Sequence, residues 1–159
     1  MDDLYALAEA VVGEAARRGV TIATAESLTA GLIAAAIADV PGASRVLLGG
    51  VVSYAFQVKR NVLGVTVDED QAVSFTCASQ MARGARKVTG ADLAVSATGV
   101  AGPDGGTEQN PVGTVWIGCA FRGQSGAKIY HFQGDRQAVR RETMRQALTT
   151  ILNCMKGGE

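Results

Sequence analysis

The sequence predicts an α/β fold: a three-layer α/β/α sandwich, with a mixed β-sheet between helices on both faces. Three observations predict it. Helical and strand-like patterns alternate along most of the chain, as in parallel sheets with crossover helices. Near the C-terminal end, two strand-like runs follow one another across a glycine-containing turn, which adds an antiparallel hairpin. The length of 159 residues, with 47% hydrophobic and 19% charged residues, suits one ordinary domain spanning 1–159 with a core of its own. There is no internal repeat, low-complexity segment or linker.

The elements follow in order. Leu4, Leu7, Ala8, Val11, Val12 and Ala15 recur at helical spacing. Arg17 and Arg18 close that helix (4–18) where cations suit the dipole, and Gly19 stops it. Val20 to Ala23 reads as a short buried strand. Thr24 to Thr29 reads as a turn rich in capping residues, and an alanine-rich helix follows to about Asp39. Pro41-Gly42 ends it.

Leu47 to Ala55 is a second strand, and a short helical piece carries Lys59. Val67 to Asp70 is a turn or helix start, and Ser74 or Thr76 caps a helix from about 76 to 88. Asp92 to Ala97 is a third strand. A long glycine-rich loop runs from Gly99 to Pro111. Val112 to Phe121 and Ala127 to Phe132 are strands joined by Arg122 to Gly126. The last helix covers roughly 136–155, and Gly157-Gly158 ends it.

Composition narrows the function classes. Fifteen basic and 15 acidic residues cancel, so net charge gives no support to binding nucleic acid or acidic membranes. Cys77, Cys119 and Cys154 are odd in number, far apart and without a CxxC pair, which argues against a disulfide framework and against a zinc site. A reducing cytoplasm is the expected compartment. The N-terminus lacks the basic start and apolar run of a signal peptide, and no stretch approaches the roughly 20 apolar residues of a membrane span. The single histidine, His131, lies in the alternating run Lys128 to Phe132, where a structural role is expected.

Four segments carry candidate chemistry. In Thr24-Ala25-Glu26-Ser27-Leu28-Thr29, a serine between a strand and a helix has its oxygen near N–H groups that stabilise an oxyanion, although most serines in such places are N-caps. Tyr54 and Lys59 lie five residues apart. Without a usable histidine, a serine nucleophile needs another base, and a lysine with a lowered pKa serves; taken alone, Tyr54 packs at a sheet edge and Lys59 is solvated. The loop Thr98 to Thr107, closing at Asn110 to Thr114, holds many glycines, which let backbone N–H groups approach an anion. It matches neither a Walker A sequence nor GxGxxG. In Gly134 to Arg141, Asp135 is a good N-cap, and Arg136 stands in the first turn against the dipole preference, either to meet a phosphate or to pair with a carboxylate.

Together the four segments resemble the CinA C-terminal domain family, also known as nicotinamide-nucleotide amidohydrolases. The family pattern T-A-E-S-C-T-G-G stands here as Thr24-Ala25-Glu26-Ser27-Leu28-Thr29-Ala30-Gly31. V-x-Y-x-x-x-x-K-x-x-x-L-G-V stands as Val52 through Tyr54 and Lys59 to Val65. G-I-A-G-P-x-G-G-T…K-P-V-G-T-V stands as Gly99 to Thr107 and Asn110 to Val115. G-D-R-x-x-V-R stands as Gly134 to Arg140. Leu28 replaces the usual cysteine, Ala30 a glycine, Asn110 a lysine, and Ala55-Phe56 a more polar pair.

The resemblance implies that Ser27, Tyr54 and Lys59 act together to hydrolyse the carboxamide of nicotinamide mononucleotide, giving nicotinic acid mononucleotide and ammonia in pyridine-nucleotide salvage. It implies no metal and no organic cofactor. Thr29, Ala30, Gly31, Gly102, Gly105, Gly106, Thr107, Arg136 and Arg140 are the candidate substrate contacts, the arginines and the glycine loop being assigned to ribose and phosphate on chemical grounds. The resemblance also suggests a homo-oligomer. Many relatives carry an N-terminal partner domain, and the expectation here is the stand-alone form. Two other readings stand beside this one: an amidase for a different small amide, and a non-enzymatic nucleotide-binding or competence/damage-related interaction protein.

Overall fold

A computed structural model describes residues 3–157. Its elements are α1 (Asp3–Arg18), β1 (Ile22–Glu26), α2 (Leu32–Ala38), β2 (Leu47–Val52), α3 (Phe56–Leu63), α4 (Phe75–Thr89), β3 (Leu93–Gly99), β4 (Thr114–Phe121), β5 (Gln124–His131) and α5 (Arg136–Gly157), with single 3-10 turns at Ala43–Arg45 and Glu69–Gln71. One five-stranded sheet runs in the order β2-β1-β3-β4-β5. The first three strands are parallel, and β4 and β5 are antiparallel to their neighbours.

Strand alternation sorts the helices into two layers. Ile22 of β1, Leu93, Val95 and Ala97 of β3, and Val115 and Ile117 of β4 pack on the face covered by α1, α2 and α5. Ala23, Ala25 and Ala94 point the other way, against α3 and α4, with Leu63, Met81 and Ala85. The period of two along a strand makes this division obligatory once one face is fixed. The result is the expected three-layer mixed sheet. The chain runs from β1 out to β2 and then returns to place β3 on the other side of β1. Such a reversal opens a crevice at the carboxyl ends of the strands, and Ser27 follows directly on β1 there.

Three sequence expectations are corrected. The first strand begins two residues later and continues through Glu26, because Thr24 to Glu26 pair with Gly50 to Val52 on one side and Val95 to Ala97 on the other. Two-sided pairing overrides the capping character of those residues. The hairpin turn is only Arg122-Gly123, so β5 starts at Gln124 and not at Ala127. Finally, Cys119 on β4 and Cys154 on α5 form a disulfide, although cysteine spacing argued against one. The two stand 35 residues apart in sequence, and only the docking of α5 on β4 joins them. Cys77 is free and buried.

Among the expected caps, Ser74 accepts from the Cys77 N–H and opens α4. Asp135 accepts from the Ala138 N–H at the start of α5. Gly158, expected to end that helix, lies outside the described residues. No helix among the described residues is long and apolar enough to cross a membrane.

Candidate active site

Ser27 sits in the crevice between β2 and β3. Its N–H donates to Ala97 O at 3.0 Å, and its side chain is nearly buried. The alternation of β1 sends it toward the α3 face, on which Lys59 approaches. Lys59 Nζ lies 2.8 Å from Ser27 Oγ, 2.7 Å from Ser53 O and 3.2 Å from Tyr54 O. Lys59 is only 3% exposed, so the bland alternative of a solvated lysine does not hold. Its neighbours are uncharged oxygens, and it forms no ion pair among the described residues. Burial therefore pulls its pKa below the ordinary lysine value, with a small opposing effect from the Cys77 thiol. Burial pushes that thiol up to about 11, so it is uncharged at neutral pH.

Ser27 does not cap α2, which has no cap from its own N-cap residue, Gly31. That task falls to Glu26, 1% exposed, at the end of β1. Its carboxylate accepts from the N–H groups of Gly31 (3.1 Å), Ile33 (2.9 Å) and Ala34 (3.0 Å), and from Thr24 Oγ1 (2.9 Å). Sequence reasoning assigned Glu26 no role. Its only signal was a carboxylate beside the serine in a strand that is otherwise buried.

The other candidates divide into two groups. Arg140 reaches back from α5 and donates to Leu28 O (2.8 Å) and Thr29 O (3.4 Å), so its guanidinium braces the Ser27 turn. Leu28 turns inward to the core, 3% exposed. The Thr29 hydroxyl and Ser53 Oγ are buried and have no hydrogen-bond partner among the described residues. Either is available to water or substrate. Ala30 and Gly31 complete the turn, both with positive φ.

Tyr54 shows only its backbone carbonyl to Lys59. Its side chain is half-exposed, and its hydroxyl accepts from Arg136 at 2.6 Å. Arg136 also donates to Gly102 O at 2.7 Å. Arg136 and Gly102 line a cleft of about 610 Å³ between the glycine loop (Gly102, Pro103, Val112) and the opening of α5 (Gly134, Asp135, Arg136). Gly105, Gly106 and Thr107 are exposed on the outer part of that loop. No group of three potential metal ligands occurs among the described residues.

Comparison with known proteins agrees with this architecture. The family model of the CinA C-terminal domain matches residues 4–155. A CinA-like protein of Thermotoga sp. (strain RQ2) is 42% identical over 95% of this chain and 38% of its own length. A CinA-like protein of Geobacter sulfurreducens is 48% identical over 82% of this chain and 32% of its own length. The chain thus spans about a third of the length of these curated relatives. Among solved structures, a competence-damaged protein (CinA) superfamily protein of Klebsiella pneumoniae superposes with a TM-score of 0.92 at 34% identity, covering 98% of this chain and 99% of that one. The competence/damage inducible protein of Agrobacterium tumefaciens gives 0.89 at 35% identity over 96% and 95%. A family match over nearly the whole chain and structural neighbours of the same superfamily lead to one conclusion: this chain belongs to the CinA C-terminal domain family.

Proposed function

We propose that this protein hydrolyses the carboxamide of nicotinamide mononucleotide to nicotinic acid mononucleotide and ammonia, with Ser27 as nucleophile and Lys59 as base. The observation that carries the reading is the 2.8 Å contact between Lys59 Nζ and Ser27 Oγ in a site without a carboxylate partner for the lysine. A lysine so placed is neutral for more of its time and takes the proton of a serine within hydrogen-bond reach.

Ser27 Oγ attacks the amide carbon while Lys59 takes its proton. The tetrahedral oxyanion is met by the Leu28 and Thr29 N–H groups, which have no acceptor among the described residues. Lys59 then gives its proton to the leaving nitrogen, and the C–N bond breaks to release ammonia. Water attacks the acyl-enzyme, Lys59 takes a proton from it, and the Ser27 oxygen leaves and is reprotonated. Tyr54 aligns Arg136 at the cleft, and Arg136 with the glycine loop faces the nucleotide phosphate.

The test is ammonia release from nicotinamide mononucleotide by wild type, Ser27→Ala and Lys59→Ala. Turnover by wild type, reduced at least about a thousandfold in each variant, is expected. No release by folded wild-type protein, with release from another carboxamide, would replace the substrate and keep the chemistry. Release by Ser27→Ala at the wild-type rate would end the serine mechanism.

A further inference from the structure

We propose that Glu26 is a positioning residue for the reaction: by capping α2 from the strand that precedes Ser27, its carboxylate holds the Ser27 turn against Lys59. This rests on the reading of Ser27 as nucleophile. The argument begins with cost. A fully buried carboxylate is expensive unless its oxygens are saturated with donors. Here one oxygen takes Gly31 N–H and Ile33 N–H, and the other takes Ala34 N–H and the Thr24 hydroxyl. An Asn, Ser or Asp at the N-cap position would cap α2 more cheaply.

What a local cap would not do is tie the helix to the strand across the turn. Glu26 does so, since its backbone is in β1 and its side chain grips the first turn of α2. Residues 27–30 between those anchors are left with little freedom. Arg140 closes the third side by holding the carbonyls of Leu28 and Thr29. The N–H groups of Leu28 and Thr29 in the same turn donate to no protein acceptor among the described residues.

The neighbouring strand is shaped to permit this arrangement. A Cβ at Gly50 would lie 2.3 Å from Thr24 Oγ1, so only a glycine leaves the threonine hydroxyl room to reach Glu26. Three residues on two strands are thus committed to one carboxylate whose own oxygens touch neither Ser27 nor Lys59.

The experiment reads Ser27 directly. A fluorophosphonate labels an activated serine: a bond forms between Oγ and phosphorus, fluoride leaves, and Lys59 takes the serine proton. Labelling of the protein is followed by intact mass for wild type, Glu26→Gln and Thr24→Val, each checked for folding by circular dichroism and thermal melting. Glutamine keeps shape and one acceptor oxygen but turns an NH2 group against helix N–H donors. Glu26→Gln is expected to label about 10- to 100-fold more slowly, the scale set by a small misplacement of reacting groups. Thr24→Val, which keeps the carboxylate, is expected to slow labelling a few-fold and carries the test if the glutamine variant does not fold.

Where ammonia release is measurable, kcat falls and KM stays. A role confined to stability would lower the melting temperature and leave the rate per folded molecule unchanged. That result, in whichever variants fold, overturns the proposal. Failure of wild type to label at Ser27 overturns it as well, since no activated serine would then need positioning. Labelling of wild type without ammonia release would count only against the substrate proposed above.

Discussion

Helix α5 touches two segments of opposite construction. Four residues after Arg136 meets the glycine loop, Arg140 meets the turn that holds Ser27. The turn is buried from Ser27 to Thr29 and gripped by Glu26, Arg140 and Lys59. The loop is exposed from Pro103 to Gln109, and its tip is held by a local exchange between Thr107 and Asn110. Bond-breaking chemistry tolerates little positional error, whereas binding a phosphate or ribose tolerates more. Under the proposed function the difference puts reaction at the turn and recognition at the loop, so changes to the groups that grip the turn should act on kcat and changes at the loop on KM.

The largest effect that would break this division is at Lys59. Lys59→Arg keeps a cation beside Ser27 but cannot supply a base, because guanidinium does not deprotonate in proteins. The expected loss in kcat is on the order of a thousandfold. The wild-type profile sharpens the point. Under the proposed mechanism the active form is the neutral amine, so rate is expected to rise with pH as Lys59 loses its proton. Burial places the midpoint below the ordinary lysine value of about 10.4. A pH–rate profile with its midpoint at or above that value would remove Lys59 from the base role.

A smaller and different effect is expected at Arg136. Arg136→Ala deletes the donor shared between Tyr54 and Gly102 at the cleft. A charged hydrogen bond to substrate contributes roughly 1.5–3 kcal/mol, which corresponds to a KM rise of about 10- to 100-fold. The change in kcat should stay within a few-fold, and the KM of wild type should rise with salt. An equal fall in kcat with KM unchanged would move Arg136 from recognition into the chemistry.

The layered fold could be read from the alternation of apolar patterns because burial on two sheet faces imposes a period on the sequence. The meeting of Ser27 with Lys59 could not, since 32 residues and a crossover separate them. Only the four family blocks put them side by side before the structure did. Glu26 escaped notice because a strand-embedded carboxylate carries no periodic signal, and three of its four partners are backbone N–H groups of residues with no polar side chains, the fourth being the Thr24 hydroxyl. The Cys119–Cys154 bond escaped for the same reason that hides most long-range pairs: spacing along the chain says nothing of which strand a terminal helix covers.

Ala30 provides the gentlest probe of the contrast. The loop gives its positive-φ positions Gly102, Gly105 and Gly113 to glycine, whereas the turn puts an alanine at φ 50. That conformation costs a residue with a Cβ roughly 1–2 kcal/mol. The Ala30 side chain is exposed, so its methyl group recovers little by packing. Ala30→Gly relieves the strain but gives the unfolded chain more freedom, worth roughly 0.4–1 kcal/mol in the opposite sense. The net expectation is a gain of about 0.5–1 kcal/mol in chemical denaturation, with kcat within twofold of wild type. The turn should keep its rate because Glu26, Arg140 and Lys59 hold it from outside, and none of these contacts involves the Ala30 side chain. If kcat falls well beyond twofold while stability rises, the stiffness of Ala30 itself helps to hold Ser27, and the strain of an alanine in a glycine's place is then part of how the turn works.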